Sequence, residues 1–406
     1  MTTVRLLVLD HADDRREIAA RFGVPETALT ASALLVSDLA SDQAADAVGR
    51  LAAAGLTVAT APVRPSDGVR DLLLAGPRDR LVAASRHLPD PLASVVDTAL
   101  ERATAPVPPL VAGPHRLPMD GRPLIVGILN ATPDSFYDGG RYFGLEQTVA
   151  RAEAMIAEGV DVIEVGGETA RPSVPVIAAH EEIDRVCPVI RAVRHRFAGP
   201  IGVDTYKPEV ARAALDAGAV ICNDISGLAD ERMALVAAEA GAALVITHIR
   251  VRPKVADPWA QYERVTDEVY AFLAERVRRA EALGVSRQSL IIDPGLSFGK
   301  QVAHDLTVVR RLREFRGLGL PIYLAASRKN FIRDVMGLPF SELLEGTMAV
   351  VAYGVLAGAN LIRTHDVQAV RRLVTMLHAI LAPTPPVVAE GAPRETGATV
   401  AQGGEA

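Results

Sequence analysis

From Leu124 onward the chain repeats one pattern, a short and mostly apolar run followed by an amphipathic stretch. The apolar runs are Leu124–Leu129, Val160–Val165, Pro200–Val203, Val220–Cys222, Ala243–Thr247, Leu290–Ile292, Pro321–Ala325 and Asn360–Ile362. Between them lie helical stretches such as Leu145–Glu158, Pro208–Ala217, Trp259–Leu283 and Ser341–Ala357. Strands that are apolar along their length are buried on both faces, which calls for a parallel sheet covered by crossover helices. Eight such units predict a closed (β/α)8 TIM barrel. An open doubly wound sheet is the second candidate, because strand number alone does not establish closure.

A Pro/Gly-rich connector, residues 105–122, separates this region (123–382) from a smaller one (1–104), and residues 383–406 read as a disordered tail rich in Pro, Gly, Ala and Thr. In the smaller region, apolar runs at Val4–Leu9, Ala33–Ser37, Thr57–Ala61 and Asp71–Ala75 alternate with helical patterns at Asp42–Ala54 and Pro77–His87. They predict a small α/β domain, for which a ferredoxin-like arrangement is one candidate. No catalytic constellation is visible in it.

Composition narrows the function classes. A formal net charge of -6 offers no basic field for nucleic acid. No run approaches the ~20 apolar residues of a membrane span, and no cleavable leader pattern follows Met1. Two cysteines, Cys187 and Cys222, both in apolar surroundings, read as buried thiols in a reducing compartment. The expectation is a soluble cytoplasmic protein.

In a barrel of this kind the chemistry sits where strands end. The residues at those exits are Asn130, Glu164, Asp204, Asn223 with Asp224, His248, Asp293, Ser327 with Arg328 and Lys329, then Arg363 and His365. Taken singly, an Asp or Asn after a strand is more often a helix cap. A polar group at every exit is harder to explain as caps alone. Asp204, Asn223 and Asp293 together suit a flat heterocycle carrying amino and ring N–H donors. Arg171, Arg328, Lys329, Arg363 and His365 form a cationic half suited to a phosphorylated group. The first loop, with Asn130, Asp134, Asp138 and the Gly139–Gly140 pair, is long enough to act as a lid.

The segments GILNATPDSFYDGG, EVGGETARPS, VDTYKPEVARAALDAGA, CNDISG, IIDPGLSFGK, ASRKNFI and RTHDV, in this order, resemble dihydropteroate synthase, the pterin-binding barrel enzyme family of folate biosynthesis. The resemblance covers about residues 123–382. It implies condensation of 6-hydroxymethyl-7,8-dihydropterin pyrophosphate with 4-aminobenzoate, giving 7,8-dihydropteroate and pyrophosphate. Under it, Asp204, Asn223, Asp293 and Lys329 bind the pterin, while Arg171, Arg363 and His365 hold the pyrophosphate. Asn130 ligates a Mg²⁺. Asp134 and Asp138 join Lys329 and Arg363 as catalytic groups, and Phe298, Ser327 and Ala170 line the aminobenzoate pocket. For Phe298, ordinary core packing is the competing reading. A homodimer through barrel helices is also implied.

The family usually reads Asp where Glu164 stands, Ser-Thr-Arg where Thr169–Ala170–Arg171 stands, His-Met-x-Gly after the fifth strand and Gly at Ser297. Here Ala170 removes a hydroxyl expected near the aminobenzoate, and Arg250 adds bulk and charge at a rim loop. Two other classes compete: a methyltransferase domain passing a methyl group from a folate to a corrinoid protein, and a noncatalytic pterin-binding protein. The first has no need of the set Arg171, Lys329, Arg363 and His365, and the second has no use for leaving-group chemistry.

Overall fold

The computed structural model describes residues 2–29, 32–63, 68–131, 141–170, 174–257 and 259–382. The first region carries β1 (Thr3–Leu7), α1 (Ala12–Phe22), β2 (Ser32–Ala40), α2 (Ser41–Leu51), β3 (Thr57–Pro62), β4 (Val69–Gly76), α3 (Arg78–Ser85) and α4 (Leu92–Arg102). Its sheet runs β1-β2-β4-β3, antiparallel throughout. The unit β2-α2-β3 with β4 inserted between its strands is the split βαβ of a ferredoxin-like sheet. The chain enters that arrangement one strand late: β1 fills the edge that the last strand occupies in the β-α-β-β-α-β order. Alternation along the strands then covers both faces. Leu34, Val36, Leu72 and Leu74 pack with α2, α3 and α4, whereas Ala33, Leu35, Leu73 and Ala75 pack with Ile18, Ala19 and Phe22 of α1.

The Pro-rich connector contains a hairpin, β5 (Leu110–Ala112) paired with β6 (His115–Leu117). Leu110, Ala112 and Met119 are buried against Val162, Ile221, Ala243, Ile291 and Leu361, which point into the barrel. The connector therefore closes the barrel floor with apolar side chains.

The barrel strands are β7 (Leu124–Asn130), β8 (Val162–Gly166), β9 (Ile201–Asp204), β10 (Ile221–Asp224), β11 (Ala243–Thr247), β12 (Leu290–Asp293), β13 (Tyr323–Ala325) and β14 (Leu361–Thr364). All pair in parallel in the order β12-β11-β10-β9-β8-β7-β14-β13. A parallel bridge between Ile292 and Ile322 joins the two ends, so the sheet closes. Each strand lies within two residues of its sequence expectation. The outer ring is α5 (Arg141–Ala157), α6 (Ala179–Arg194), α7 (Pro208–Asp216), α8 (Arg232–Ala240), α9 (Val265–Ala282), α10 (Val302–Arg310), α11 (Asn330–Met336), α12 (Leu344–Leu356) and α13 (Val367–Leu381). Two helices start later than their patterns suggest: α12 begins at Leu344, and α9 begins at Val265, where the Glu268 carboxylate accepts from the Arg264 N–H at 3.1 Å, while Trp259 stays in the preceding loop, 81% exposed.

Candidate active site at the barrel mouth

Inward-facing positions on a barrel strand recur every second residue. Counting up β8 from Val162 therefore places Glu164 inside the barrel, two residues below the end of its strand. Glu164 is buried and three donors converge on its carboxylate. Asn223 Nδ2 donates to Oε2 at 3.1 Å, the Tyr323 hydroxyl donates to the same oxygen at 2.7 Å, and Arg363 Nε donates to Oε1 at 2.5 Å. Arg363 Nη2 turns the other way and donates to Asp204 Oδ2 at 2.6 Å. Residues from β8, β9, β10, β13 and β14 thus form one connected polar layer above the apolar floor. Burial pushes the Asp204 carboxyl up, to about 7, against the attraction of Arg363. A charged group this far from water persists only with partners, and each supplies the other's. Two polar atoms in this region are buried without a partner among the described residues, Asn223 Oδ1 and Thr247 Oγ1.

At the exit of β12, Asp293 Oδ1 accepts from the Gly295 N–H at 2.7 Å. Burial raises the Asp293 carboxyl above the usual carboxylate range, and Lys329 opposes that shift. Burial lowers the Lys329 ammonium, opposed in turn by Asp293. Lys329 Nζ donates to the Leu296 carbonyl at 2.6 Å and stands 4.7 Å from the centroid of the Phe298 ring. Phe298 is half-buried, with its ring against this ammonium. A second lysine secures the same turn from behind. Lys300 Nζ donates to His248 Nδ1 at 2.7 Å and to the Gly295 carbonyl at 2.8 Å, while burial brings its pKa down to about 7. Burial, and then Lys300, keeps His248 neutral.

Among the described residues, two further members of the cationic half have partners of their own. His365 accepts at Nδ1 from, or donates to, the Ser327 hydroxyl at 2.9 Å, and burial followed by Arg363 lowers its pKa to about 4. Its buried surroundings favour the neutral imidazole at neutral pH. Arg328 is committed to Asp366, at 2.6 and 3.1 Å, beside the site. Asp224 is a local cap, accepting from the Ser226 N–H and hydroxyl and from the Leu228 N–H. Arg250 lies along the Tyr262 ring and bonds the Gln261 carbonyl, so its bulk is turned onto its own loop. Asn130 ends β7 with an exposed side chain, and a Cβ on Gly166 would sit 3.9 Å from its Oδ1 and 3.9 Å from Asp204 Oδ2. Ala170 is exposed on the loop after β8. Asp134, Asp138 and Arg171 lie outside the described residues.

Three further contributors escape a reading by strand exits. Tyr323 sits at the start of its strand and looks like core until its hydroxyl is seen to meet Glu164. Thr247 ends an apolar run, so its hydroxyl gives no warning. Glu168 accepts from Lys207 at 2.9 Å and from Lys254 at 2.7 Å, tying the loop after β8 to those after β9 and β11. Lys207 in VDTYKPEV carried a signal, since it stands next to the helix-starting Pro208 with no i+4 acid to pair with.

Comparison with known proteins places this geometry. The family described as pterin binding enzyme matches residues 126–365. The dihydropteroate synthase of Bacillus subtilis is 41% identical over 269 residues, covering 66% of this chain and 92% of the relative, and that of Escherichia coli is 38% identical over 259 residues, 64% and 92%. Among solved structures, Xanthomonas albilineans dihydropteroate synthase with 4-aminobenzoic acid aligns with a TM-score of 0.64 at 36% identity, covering 68% of this chain and 99% of that one. The Thermus thermophilus enzyme in complex with 4-aminobenzoate aligns at 0.60 and 38%, covering 67% and 99%. With a closed parallel barrel, an Asp204–Asn223–Asp293 set at its mouth and these relatives, the chain belongs to the pterin-binding enzymes, in the dihydropteroate synthase family.

Proposed function

We propose that the barrel condenses 6-hydroxymethyl-7,8-dihydropterin pyrophosphate with 4-aminobenzoate, releasing pyrophosphate and 7,8-dihydropteroate. The observation that carries this reading is the convergence of Asp204, Asn223, Asp293 and Lys329 on one mouth that Arg363 also enters. Acceptors at the first three positions meet the amino and ring N–H groups of a pterin, and Lys329 supplies a donor for its carbonyl or ring nitrogen. Arg363 keeps Nε and Nη2 on Glu164 and Asp204, and its Nη1 would serve the leaving group. His365, neutral and held by Ser327, adds a hydrogen bond to the departing oxygens; Arg171 is assigned to the same group by family resemblance.

The C–O bond to pyrophosphate breaks, a cationic methylene conjugated to the pterin forms, and the arylamine nitrogen closes the C–N bond and sheds a proton. The amine is already a free nucleophile, so no covalent enzyme intermediate is needed. Fixed donors around the departing anion act where charge develops. Phe298 and Ser327 would border the aminobenzoate, with Ala170 at its outer edge, and Asp134 and Asp138 are assigned to stabilising the methylene cation.

The family implies Mg²⁺. Among the described residues no three His, Cys, Asp or Glu side chains gather into a metal cage. Mg²⁺ commonly takes one protein oxygen and completes its shell with phosphate and water, and the Asn130 amide beside the mouth fits that use. When bound, the metal would neutralise charge on the pyrophosphate oxygens. A homodimer is supported by the exposed apolar side chains of two neighbouring helices, Tyr353 and Leu356 on α12 and Met376, Ile380 and Leu381 on α13. Two buried free thiols, Cys187 and Cys222, support a cytoplasmic location.

The test is pyrophosphate release by the purified protein with Mg²⁺, the pterin pyrophosphate and 4-aminobenzoate, each left out in turn. Release that requires all three supports the reading, and release independent of 4-aminobenzoate would reject it.

A further inference from the structure

The two ends of the Asn223 amide are alike in shape but not in what their neighbours require of them. Its Nδ2 faces Glu164 at 3.1 Å, and Glu164 also receives Tyr323 and Arg363. A carboxylate ion-paired to a guanidinium only accepts, so the amide of Asn223 has one permitted orientation: nitrogen toward Glu164, oxygen away from it. That oxygen is the buried atom left without a partner among the described residues. An amide free to rotate by half a turn would present a donor or an acceptor to a ligand with equal ease. Here the choice has been made in advance.

We infer that Glu164, steadied by the Tyr323 hydroxyl, is a positioning residue that sets the hydrogen-bond polarity of the pterin pocket by holding Asn223 Oδ1 toward the ligand as an acceptor. The inference rests on the reading of this mouth as the pterin site. Its chemistry follows from three observations. First, Glu164 is buried and its carboxylate accepts from three protein donors, Asn223, Tyr323 and Arg363. Second, its side chain packs over Gly202, its β9 partner in register, where an added Cβ would come to 3.5 Å from Glu164 Cγ, an ordinary packing distance. Third, Tyr323 is almost wholly buried, with its hydroxyl reaching across the barrel to Glu164 from the far side. A tyrosine in an otherwise apolar floor layer keeps its hydroxyl in this environment because the carboxylate accepts it.

The consequence is selectivity. A ligand that brings an N–H or amino group to Asn223 satisfies the orphaned oxygen; one that brings an acceptor leaves two acceptors facing each other in a dry site. Glu164→Gln removes the constraint, because its amide can donate to Asn223 Oδ1 and let the asparagine turn its nitrogen to the pocket. Arg363 keeps Asp204 as its partner in that variant.

Binding of 6-hydroxymethyl-7,8-dihydropterin, which lacks the pyrophosphate, is measured by calorimetry alongside the KM of each substrate. The wild-type protein should bind it, and Glu164→Gln should raise its dissociation constant about tenfold or more. The KM for the pterin pyrophosphate should rise with it while that for 4-aminobenzoate stays within about twofold. Glu164→Asp, which keeps an acceptor-only group, should recover most of the affinity. Equal affinity of wild type and Glu164→Gln, or an equal rise in both KM values, would overturn the inference while leaving the enzymatic reading in place. A wild-type protein that binds no pterin would overturn both. Should Glu164→Gln fail to fold, Tyr323→Phe carries the test: a pterin affinity unchanged from wild type would overturn the role of the hydroxyl in steadying Glu164.

Discussion

At Gly295 an added methyl carbon would lie 1.8 Å from the His248 carbonyl oxygen, and the backbone there has φ +69°. Gly295→Ala must therefore displace the turn that carries Leu296 and Phe298, at a cost of roughly 3 kcal/mol. We expect a lower melting temperature together with weakened binding of both substrates. Two residues on, Ser297 also has a positive φ, of 65°, where the family usually has glycine. Its N–H donates to Asp305 at 2.9 Å, a bond that helps hold the left-handed residue in place. His365 makes a prediction in pH. Its pKa falls from the ordinary 6.5 to about 4, with burial as the main cause. The unfolded chain takes up a proton near pH 6.5 that the folded protein refuses until about pH 4. The contribution is thus complete above pH 6.5 and lost as pH falls toward 4, about 3 kcal/mol in all. Asp204 runs the other way: raised from 3.8 to about 7, it contributes most at low pH and loses that contribution as pH rises through 7. Because the two slopes oppose, the His365 share is read as a difference. The stability gap between wild type and His365→Asn should narrow as pH drops from 7 to 4.5, and a constant gap would refute the neutral assignment.

The β5–β6 hairpin shows how an element outside the eight βα units completes the barrel. Inward side chains at the lower end of the strands need an apolar cover, and Leu110, fully buried, supplies part of it. Leu110→Ala opens a cavity under the floor and should cost about 3 kcal/mol. We expect the urea midpoint of the barrel to fall accordingly, with the pterin KM little changed because the polar layer stands above the floor. The upper loops obey a different physics. There Glu168 accepts from Lys207 and Lys254, and Lys207 also reaches Glu182 at 2.7 Å, so ion pairs rather than apolar contacts fix the rim.

Over the whole molecule, the smaller domain is locked to the barrel wall by buried charge. Arg5 and Arg21 from the first domain both bond Asp267 on α9, and Arg264 joins them at 2.8 Å. Burial alone would raise the Asp267 carboxyl, yet Arg5 and Arg21 hold it well below the usual carboxylate range. Glu314, buried, forms an ion pair with Arg5 and accepts from the Val8 N–H, and Arg310 grips Asp14 at 2.9 and 3.0 Å. The Tyr270 hydroxyl adds a bond to the Val4 carbonyl at 3.0 Å. Such a network predicts one cooperative unfolding transition for both domains. Asp267→Asn leaves several guanidiniums short of a carboxylate and should cost about 3 to 5 kcal/mol. In calorimetry the variant should show a lower or split transition, and an unchanged single peak would mean that the ion pairs do not couple the domains. The wall that is gripped, α9 with the segment after α10, leaves the exposed apolar residues of α12 and α13 uncovered.

Periodicity was enough to read the barrel, since an apolar run and the polar residue that ends it are neighbours in sequence. The same local logic reached Asn130, Asp204, Asn223, Asp293, Lys329 and Arg363, each at or near a strand end. It also anticipated a small α/β first domain, though its strand order was not readable, because pairing joins residues that chain proximity does not. What only the tertiary structure decided were the partnerships. Glu164 meets Tyr323, 159 residues away, and Arg5 meets Asp267, 262 residues away, only once the barrel has closed and the first domain has docked. Protonation belongs to the same class: His365 looks like a cation in sequence and is neutral in the fold, because burial and the nearby Arg363 act through space and leave no mark on the residues beside it.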